Sequence, residues 1–263
     1  MKSNSNHVLI AGAIWVVLMA IGEALTFIDI YPTVGSEFAE DSDFIFTFLT
    51  RLGIPVFAFV VSGIAYAVLR WRTNDIDDVG EHIRGTGHIP RVWVGVTGAL
   101  ALFVMVYPGL TGVAELRDIG YDYGFGDAVE GGRNVATTEA VVLNVTGFRW
   151  AWTVEYEGTD ISLTGAEEMV LPVDRQIWVR INSTDVLHSF WVPAFRQKID
   201  VIPGRTTELT FTPIETGNFA EDAAYRLQCA ELCGRDHTFM MMPVAVVEQQ
   251  EFEDWLGRKS GGK

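Results

Sequence analysis

Residues 229–240 read CAELCGRDHTFM and carry the sulfur and imidazole donors Cys229, Cys233, His237 and Met240. A further histidine, His188, lies upstream in the segment DVLHSFWVP. Soft thiolates, imidazoles and a thioether favour copper. Zinc fits less well, because structural zinc sites use Cys and His ligands and have no use for a methionine at fixed spacing. The stretch therefore predicts a copper site, in which paired thiolates can bridge a pair of copper ions.

The two cysteines of the chain have a competing interpretation, which is a disulfide bond. An exported pair of cysteines commonly forms one. The histidine and methionine that follow at fixed spacing weigh against this interpretation. The residues alone leave the identity of the methionine open, because Met240 is followed by Met241 and Met242 and methionine often only fills a core.

The sequence around this stretch has strand character and is broken by Gly and Pro at intervals typical of an all-β sandwich. The candidate strands lie in residues 138–147, 148–156, 175–183, 205–213, 223–229 and 242–248. In the tail, Phe252, Trp255 and Leu256 have helical spacing and predict a terminal helix. We therefore expect a sandwich domain over residues 138–263, preceded by a linker rich in Gly, Asp and Tyr over residues 115–137.

Residues 1–114 contain three apolar stretches, near 8–28, 48–69 and 92–114. Each approaches the roughly 20 residues that a helix needs to cross a bilayer. The first has a competing interpretation as a cleaved signal peptide, although its basic region is thin and no A-x-A site follows it. The sequence therefore predicts a membrane anchor of two to three transmembrane helices.

The charges between these stretches predict their orientation. Residues 29–50 contain five acidic residues and no Lys or Arg, whereas residues 70–91 contain four arginines. Because Lys and Arg near the ends of spans stay on the cytoplasmic side, the first connection lies outside and the second inside. We expect a multi-pass protein of the cell membrane whose C-terminal domain is extracytoplasmic.

The charge balance is strongly acidic, with a formal net charge of −15. Residues 115–263 hold 24 Asp and Glu against 13 Lys and Arg. Such a surface repels nucleic acid, which excludes a nucleic-acid partner. The basic residues comprise 15 Arg and only 4 Lys, and an acid-rich, Lys-poor composition leads to the hypothesis of a halophilic, archaeal host.

The pattern C-x3-C-x3-H-x2-M with an upstream D-V-x-H-S-F resembles subunit II of the haem–copper respiratory oxidases of the cytochrome c oxidase type. The resemblance extends through IRGTGHIPRVW at residues 83–93, GFRWAWTVEY at 147–156 and KIDVIPGR at 198–205. It implies transmembrane helices followed by an all-β, cupredoxin-like sandwich that carries a dinuclear copper centre, CuA.

The same resemblance implies roles for individual residues. The copper ligands would be the side chains of His188, Cys229, Cys233, His237 and Met240 and the backbone carbonyl of Glu231. The Glu231 carboxylate would reach a magnesium ion at the interface with subunit I, which the segment 198–205 would also face. Trp150 would be the residue through which the donor's electron enters, and Asp185 would help to dock a cationic donor. Ala151 stands where the family commonly has an aromatic residue, so we expect a reshaped donor surface.

The resemblance implies an oxidoreductase subunit of the respiratory electron-transport chain, catalytic only within its complex. Electrons from cytochrome c or a blue-copper protein would pass through CuA to haem in subunit I, where oxygen reduction and proton translocation take place. Three alternatives stay open: a CuA subunit of a nitric oxide reductase-type complex, a stand-alone membrane-anchored copper electron carrier, and a disulfide-bonded adhesion module. A quinol oxidase subunit of the same fold is disfavoured, because such subunits lack the copper ligands that this sequence contains.

Overall fold

A computed structural model describes residues 4–70, 72, 77, 87–118 and 140–261. The chain divides into two compact units. The helical unit comprises Met1–Ile30 and Asp43–Gly112, and the sandwich unit comprises Tyr31–Ser42 and Val113–Lys263. The structure confirms the predicted order of apolar helices followed by an all-β sandwich.

The helices before the sandwich are α1 Asn4–Leu25, α2 Glu37–Arg70, α3 His88–Val104 and α4 Thr111–Asp118, with a kinked segment, Met105–Leu110, between the last two. Among the described residues, three helical stretches are long and apolar enough to cross a membrane: Asn6–Leu25, Glu37–Arg70 and Pro90–Ala114. The kink lies at Tyr107, whose backbone angles are not helical, and at Pro108, which has no N–H to donate and so interrupts regular α-helical bonding. Helix α4 includes the first residues of the predicted linker, and residues 119–137 lie outside the described part of the chain.

Helix α2 is much longer than the predicted span 48–69, because it begins at Glu37 and has 34 residues. Acidic residues in its first turn favour a helix start there, since they oppose the positive end of the helix dipole. The sequence-based estimate placed the boundary by hydropathy alone. Hydropathy marks the part of a helix that suits lipid and does not mark where the helix begins.

Helices α1 and α2 pack against each other in antiparallel register. Near the end of α1, the Arg51 Nε–H donates to Thr26 Oγ1 over 3.0 Å. Midway along α1, the Trp15 indole N–H donates to the carbonyl oxygen of Pro55 over 2.8 Å. Near its start, His7 Nδ1 and the Tyr66 hydroxyl are 2.5 Å apart. As residue numbers rise in α1 they fall in α2, and each of these contacts depends on a specific polar group.

The strands, in chain order, are β1 Val141–Phe148, β2 Ala151–Tyr156, β3 Ser162–Thr164, β4 Met169–Pro172, β5 Ile177–Ser183, β6 His188–Trp191, β7 Lys198–Val201, β8 Thr207–Phe211, β9 Gly217–Asn218, β10 Arg226–Cys229 and β11 Met241–Val247. One sheet has the order β3-β2-β1-β5-β8. The other has the order β4-β11-β10-β6-β7, with β9 also paired to β11. Most pairs are antiparallel, whereas β1 with β5 and β4 with β11 are parallel.

The core lies between the two sheets and follows from strict alternation along the longer strands. Buried and half-buried residues alternate along β1 and along β5. Leu143 and Ile181 from the first sheet, and Phe190 and Leu227 from the second, are buried in one cluster. These residues face inward because side chains point to alternate faces along each strand and one face of each sheet is covered.

The chain closes with α5 Gln249–Ser260, which confirms the predicted terminal helix. Phe252 is buried in the sandwich core, and the Trp255 and Tyr156 ring centroids are 5.1 Å apart. Tyr156 is the last residue of β2. Helix α5 therefore covers the end of β2 that is opposite to the β1–β2 turn.

The connection between α1 and α2 forms part of the sandwich unit. The buried Ser36 hydroxyl donates to the Phe195 carbonyl oxygen over 2.9 Å, and both Glu37 carboxylate oxygens accept from the Thr212 N–H at 2.8 and 2.7 Å. Phe38 and Ala39 are buried. Residues 31–42, at the junction of two apolar helices, are thus fastened to the sandwich by hydrogen bonds and by burial.

Candidate metal centre

The predicted ligands come from the ends of three neighbouring strands. His188 is the first residue of β6, and Cys229 is the last residue of its antiparallel neighbour β10. His237 begins a short 3-10 turn, and Met240 directly precedes β11. Because β6, β10 and β11 are adjacent in one sheet, their ends bring residues that are distant in sequence to one place.

The structure brings all six predicted ligands together. The Sγ atoms of Cys229 and Cys233 are 3.8 Å apart. His188 Nδ1 lies 3.7 Å from the Cys229 Sγ, and His237 Nδ1 lies 3.5 Å from the Cys233 Sγ. The Met240 Sδ is 3.7 Å from the Cys233 Sγ, and the Glu231 carbonyl oxygen is 3.1 Å from the Cys229 Sγ. Each thiol therefore has one imidazole and one weaker donor beside it.

Cys229 and Cys233 are not joined by a disulfide bond in this structure. Both cysteines are free, and their sulfurs are separated by 3.8 Å, whereas a disulfide bond is about 2.05 Å long. His188, Cys229, Cys233 and Met240 form a CuA-like ligand set. Soft sulfur and imidazole donors in matched pairs fit copper ions bridged by thiolates.

The electrostatics of the pocket also fit a bound cation. Burial, together with the neighbouring Cys229, raises the pKa of the Cys233 thiol to about 12. His188 and Met240 are buried as well. Thiolates in such surroundings need a positive charge close by, and metal ions supply that charge and deprotonate the sulfur ligands.

Comparison with known proteins identifies the family. The family model described as "Cytochrome C oxidase subunit II, periplasmic domain" matches residues 157–249. The "Heme-copper oxidase subunit 2" of Aeropyrum pernix is 31% identical over 215 residues, covering 79% of this chain and 85% of that protein. The chain belongs to the cytochrome c oxidase subunit II family.

Other members of this family match over different lengths. The cytochrome c oxidase subunit 2 of Alkalihalophilus pseudofirmus is 28% identical over 203 residues, which cover 77% of this chain and 53% of that protein. The chain thus spans about half the length of that relative. Among solved structures, the periplasmic domain of subunit II of the Bradyrhizobium japonicum cytochrome oxidase is 32% identical, with a TM-score of 0.42, and the match covers 48% of this chain and 97% of that domain.

In this family member, His188 is oriented by Asp185. The His188 Nε2 lies 2.9 Å from Asp185 Oδ1, so the ring donates its Nε2–H to the carboxylate and keeps the Nδ1 lone pair turned toward the Cys229 sulfur. A buried imidazole held in this way presents the correct nitrogen to a metal before the metal arrives.

Asp185 in turn accepts several hydrogen bonds. They come from the Val186 N–H at 2.6 Å, the Arg149 N–H at 2.9 Å and the Arg149 Nε–H at 3.0 Å. Partial burial alone would raise the pKa of Asp185, but these bonds and the one from His188 outweigh it and hold the pKa below its usual value. Asp185 therefore orients the His188 ring, and its expected part in docking a cationic donor stays a prediction.

Trp150 lies in the β1–β2 turn, against the loop that carries the ligands. Gly234 has a φ of 124°, and a Cβ at this position would lie 3.2 Å from the indole of Trp150. The Arg235 guanidinium is 5.9 Å from the Trp150 ring centroid. Trp150 is half-buried in this turn, and Trp152 is fully buried in β2.

Two residues that the sequence analysis did not single out also shape the site. The Trp152 and His188 ring centroids are 6.0 Å apart, with the rings edge to face. A Cβ on Gly147 would lie 3.0 Å from the Trp152 ring and 3.3 Å from the His188 ring. A glycine inside a strand often marks such a close approach, and that signal was available in the sequence.

Proposed function

We propose that this chain is the copper-bearing subunit II of a haem–copper terminal oxidase. It accepts electrons one at a time from a soluble or membrane-tethered donor and passes them to haem in subunit I, where oxygen is reduced to water. The observation that carries the proposal is the paired donor set, in which two thiols 3.8 Å apart each have an imidazole within 3.7 Å. Family membership supports it independently.

The proposed copper ligands are the side chains of His188, Cys229, Cys233, His237 and Met240 and the carbonyl oxygen of Glu231. When bound by these residues, copper would supply a centre that takes up and releases one electron at a time. The chain's own contribution is to hold the donors in a preformed cluster, in which His188, Cys229, Cys233 and Met240 are buried and His237 is half-buried. A ligand set that is already in place before the metal binds keeps reorganisation small, which suits rapid electron transfer.

The path into the centre is proposed to start at Trp150. Its indole rests on Gly234, the residue that follows the proposed ligand Cys233. Arg149, the neighbour of Trp150, is hydrogen-bonded to Asp185, which holds His188. The β1–β2 turn is therefore connected to both halves of the ligand set, which supports its use as the surface where the donor's electron enters.

Glu231 is proposed to face subunit I. Its side chain is exposed, while its carbonyl oxygen lies beside the Cys229 sulfur. Hard carboxylate oxygens are suitable ligands for magnesium. We propose that the Glu231 carboxylate reaches a magnesium ion at the boundary with subunit I, and that the segment 198–205 also lies at that boundary.

The membrane topology is proposed to comprise three spans, with the sandwich outside the cytoplasm. The antiparallel contacts of α1 with α2 support a retained first helix, because a cleaved signal peptide has no need of specific partners such as the Trp15 bond to Pro55. Residues 31–42 belong to the sandwich unit, which supports placing the first connection and the sandwich on the same side. The arginines of residues 70–91 place the second connection in the cytoplasm, so the sandwich, which follows the third span, lies outside the cytoplasm.

The test of the proposed function is copper content together with the EPR spectrum of the full-length chain. The full chain is required because residues 31–42 are part of the sandwich unit. We expect a pair of coppers per chain and a seven-line hyperfine pattern, which reports one electron shared by two ions. A single copper with four lines would indicate a mononuclear carrier, and the absence of copper binding would refute the proposal.

A further inference from the structure

The surface around Trp150 is flanked by exposed positive charge. Arg149 directly precedes Trp150 in the β1–β2 turn, and the Arg235 guanidinium lies 5.9 Å from the Trp150 ring centroid. The side chains of Arg149 and Arg235 are 50% and 84% exposed. A protein that approaches Trp150 therefore meets two exposed guanidinium groups near the indole, one from the preceding residue and one from Arg235.

Each arginine has an acidic partner that is less exposed. Asp185, paired with Arg149, is 21% exposed, and Asp236, paired with Arg235, is 35% exposed. Asp185 is turned toward the metal centre by its bonds to the His188 ring and the Val186 N–H. In both pairs the carboxylate is the inner group and the guanidinium is the outer group, so the charge presented outward is positive.

This local charge contrasts with the sandwich as a whole, since residues 115–263 carry 24 acidic and 13 basic residues. The remaining acidic residue in the 229–240 loop is Glu231, which the proposed function assigns to the subunit I side. A donor rich in lysine would be attracted by the domain from a distance and repelled at the point of contact. A donor with carboxylates around its redox centre would be repelled by the domain from a distance and attracted at the point of contact.

We propose that the electron donor docks through an acidic face, with carboxylates that contact Arg149 and Arg235 near Trp150. This inference rests on the proposed function and names the class of partner that its surface fits. Guanidinium groups form charge-assisted, often bidentate, bonds with carboxylates. Since two acidic proteins repel at long range, docking requires enough salt to screen that repulsion while leaving the short contacts in place.

Small redox probes of opposite charge test the local potential directly. The full-length, copper-loaded chain is reduced and then oxidised by anionic ferricyanide or by cationic tris(phenanthroline)cobalt(III), with the rates measured by stopped flow. In Arg235→Glu we expect the ferricyanide rate to fall about 3- to 10-fold at roughly 10 mM ionic strength and the cobalt rate to rise. Both effects should vanish near 1 M salt, where the Debye length is about 3 Å.

Two further variants serve as controls. Arg235→Lys keeps the charge and should keep the ratio of the two rates. Arg175→Gln removes a half-buried arginine paired with Glu253 of α5, at the end of β2 opposite Trp150, and should also leave the ratio unchanged. An equal change of the ratio in Arg175→Gln, or no change in Arg235→Glu, would overturn the inference.

A second measurement does not depend on copper. Binding of an acidic plastocyanin and of a lysine-rich cytochrome c to the metal-free full-length chain is measured by interferometry at several salt concentrations. Wild type should prefer plastocyanin at moderate salt, and Arg149→Gln and Arg235→Glu should reverse the preference.

If copper loads normally but neither readout responds to Arg235→Glu, this inference fails and the proposed function stands. If copper does not load, the proposed function fails, and the binding preference still decides the inference.

Discussion

Met240 has its thioether 3.7 Å from the Cys233 thiol and its side chain buried, whereas its neighbour Met241 is only half-buried at the start of β11. Met240→Leu should retain most of the copper, because an axial thioether is a weak ligand, but should change the hyperfine pattern and shift the reduction potential. Met241→Leu is the matched control and should leave both unchanged. A normal spectrum in Met240→Leu would show that another sulfur is the ligand.

Asp185 holds the imidazole of His188 through a 2.9 Å bond, although it is not itself a proposed ligand. Carboxylates that orient a ligand histidine typically contribute about 10- to 100-fold to metal affinity. Asp185→Ala should therefore lower copper affinity by roughly that factor, measured by competition with a chelator. Asp200→Ala, on the exposed side of β7, removes a carboxylate without touching His188 and should bind copper as wild type does.

The donor set was predictable from the residues, since Cys229, Cys233 and His237 are close in sequence and their spacing is informative. The partner of His188 was not, because Asp185 turns inward only after β6 and the β1–β2 turn are in place. The contacts of Trp150 could not be predicted from sequence spacing either, because its position depends on where β1 ends. Sequence spacing identifies donors within one loop, and tertiary contacts between turns decide what orients them.

At the scale of elements, the contact between α1 and α2 makes a prediction about the membrane unit. Trp15→Phe keeps an aromatic ring next to Phe59 but removes the indole N–H that donates to the Pro55 carbonyl oxygen. Hydrogen bonds between membrane helices contribute about 0.6 kcal/mol on average and up to roughly 1.7. Trp15→Phe should lower the free energy of unfolding in detergent by an amount within that range.

Trp93→Phe provides the control for this prediction, because Trp93 is an exposed tryptophan of α3. It should leave the unfolding free energy unchanged within error. Equal losses in the two variants would mean that tryptophan size, and not the bond to Pro55, stabilises the unit. Unchanged stability in Trp15→Phe would instead remove one of the reasons for regarding α1 as a retained span.

The elements that sequence patterns predicted are those that bury one face along several residues. All six predicted strand segments contain strands of the sandwich, among them β1 and β5 with their strict alternation. The strands that were not predicted, β3, β4, β6, β7 and β9, have two to four residues. A segment this short cannot display a period of two, so its strand conformation depends on pairing with a neighbour.

At the scale of the whole molecule, the net charge of −15 predicts a dependence of stability on salt. Self-repulsion among carboxylates opposes the folded state at low ionic strength, and salt screens it as the Debye length falls from about 10 Å at 0.1 M to about 3 Å at 1 M. The Tm of the full-length chain should therefore rise by several degrees between these KCl concentrations, as measured by scanning calorimetry.

Salt also strengthens the burial of apolar surface, so the electrostatic part of the increase in Tm needs its own control. Glu168 and Glu221 line one cleft of the sandwich together with Glu248 and Glu251. The double variant Glu168→Gln, Glu221→Gln removes two of these charges, so it should be more stable than wild type at 0.1 M KCl and should gain less from added salt. If wild type and the double variant respond equally to KCl, charge repulsion is not the cause, and the acidic composition loses its value as a sign of a high-salt host.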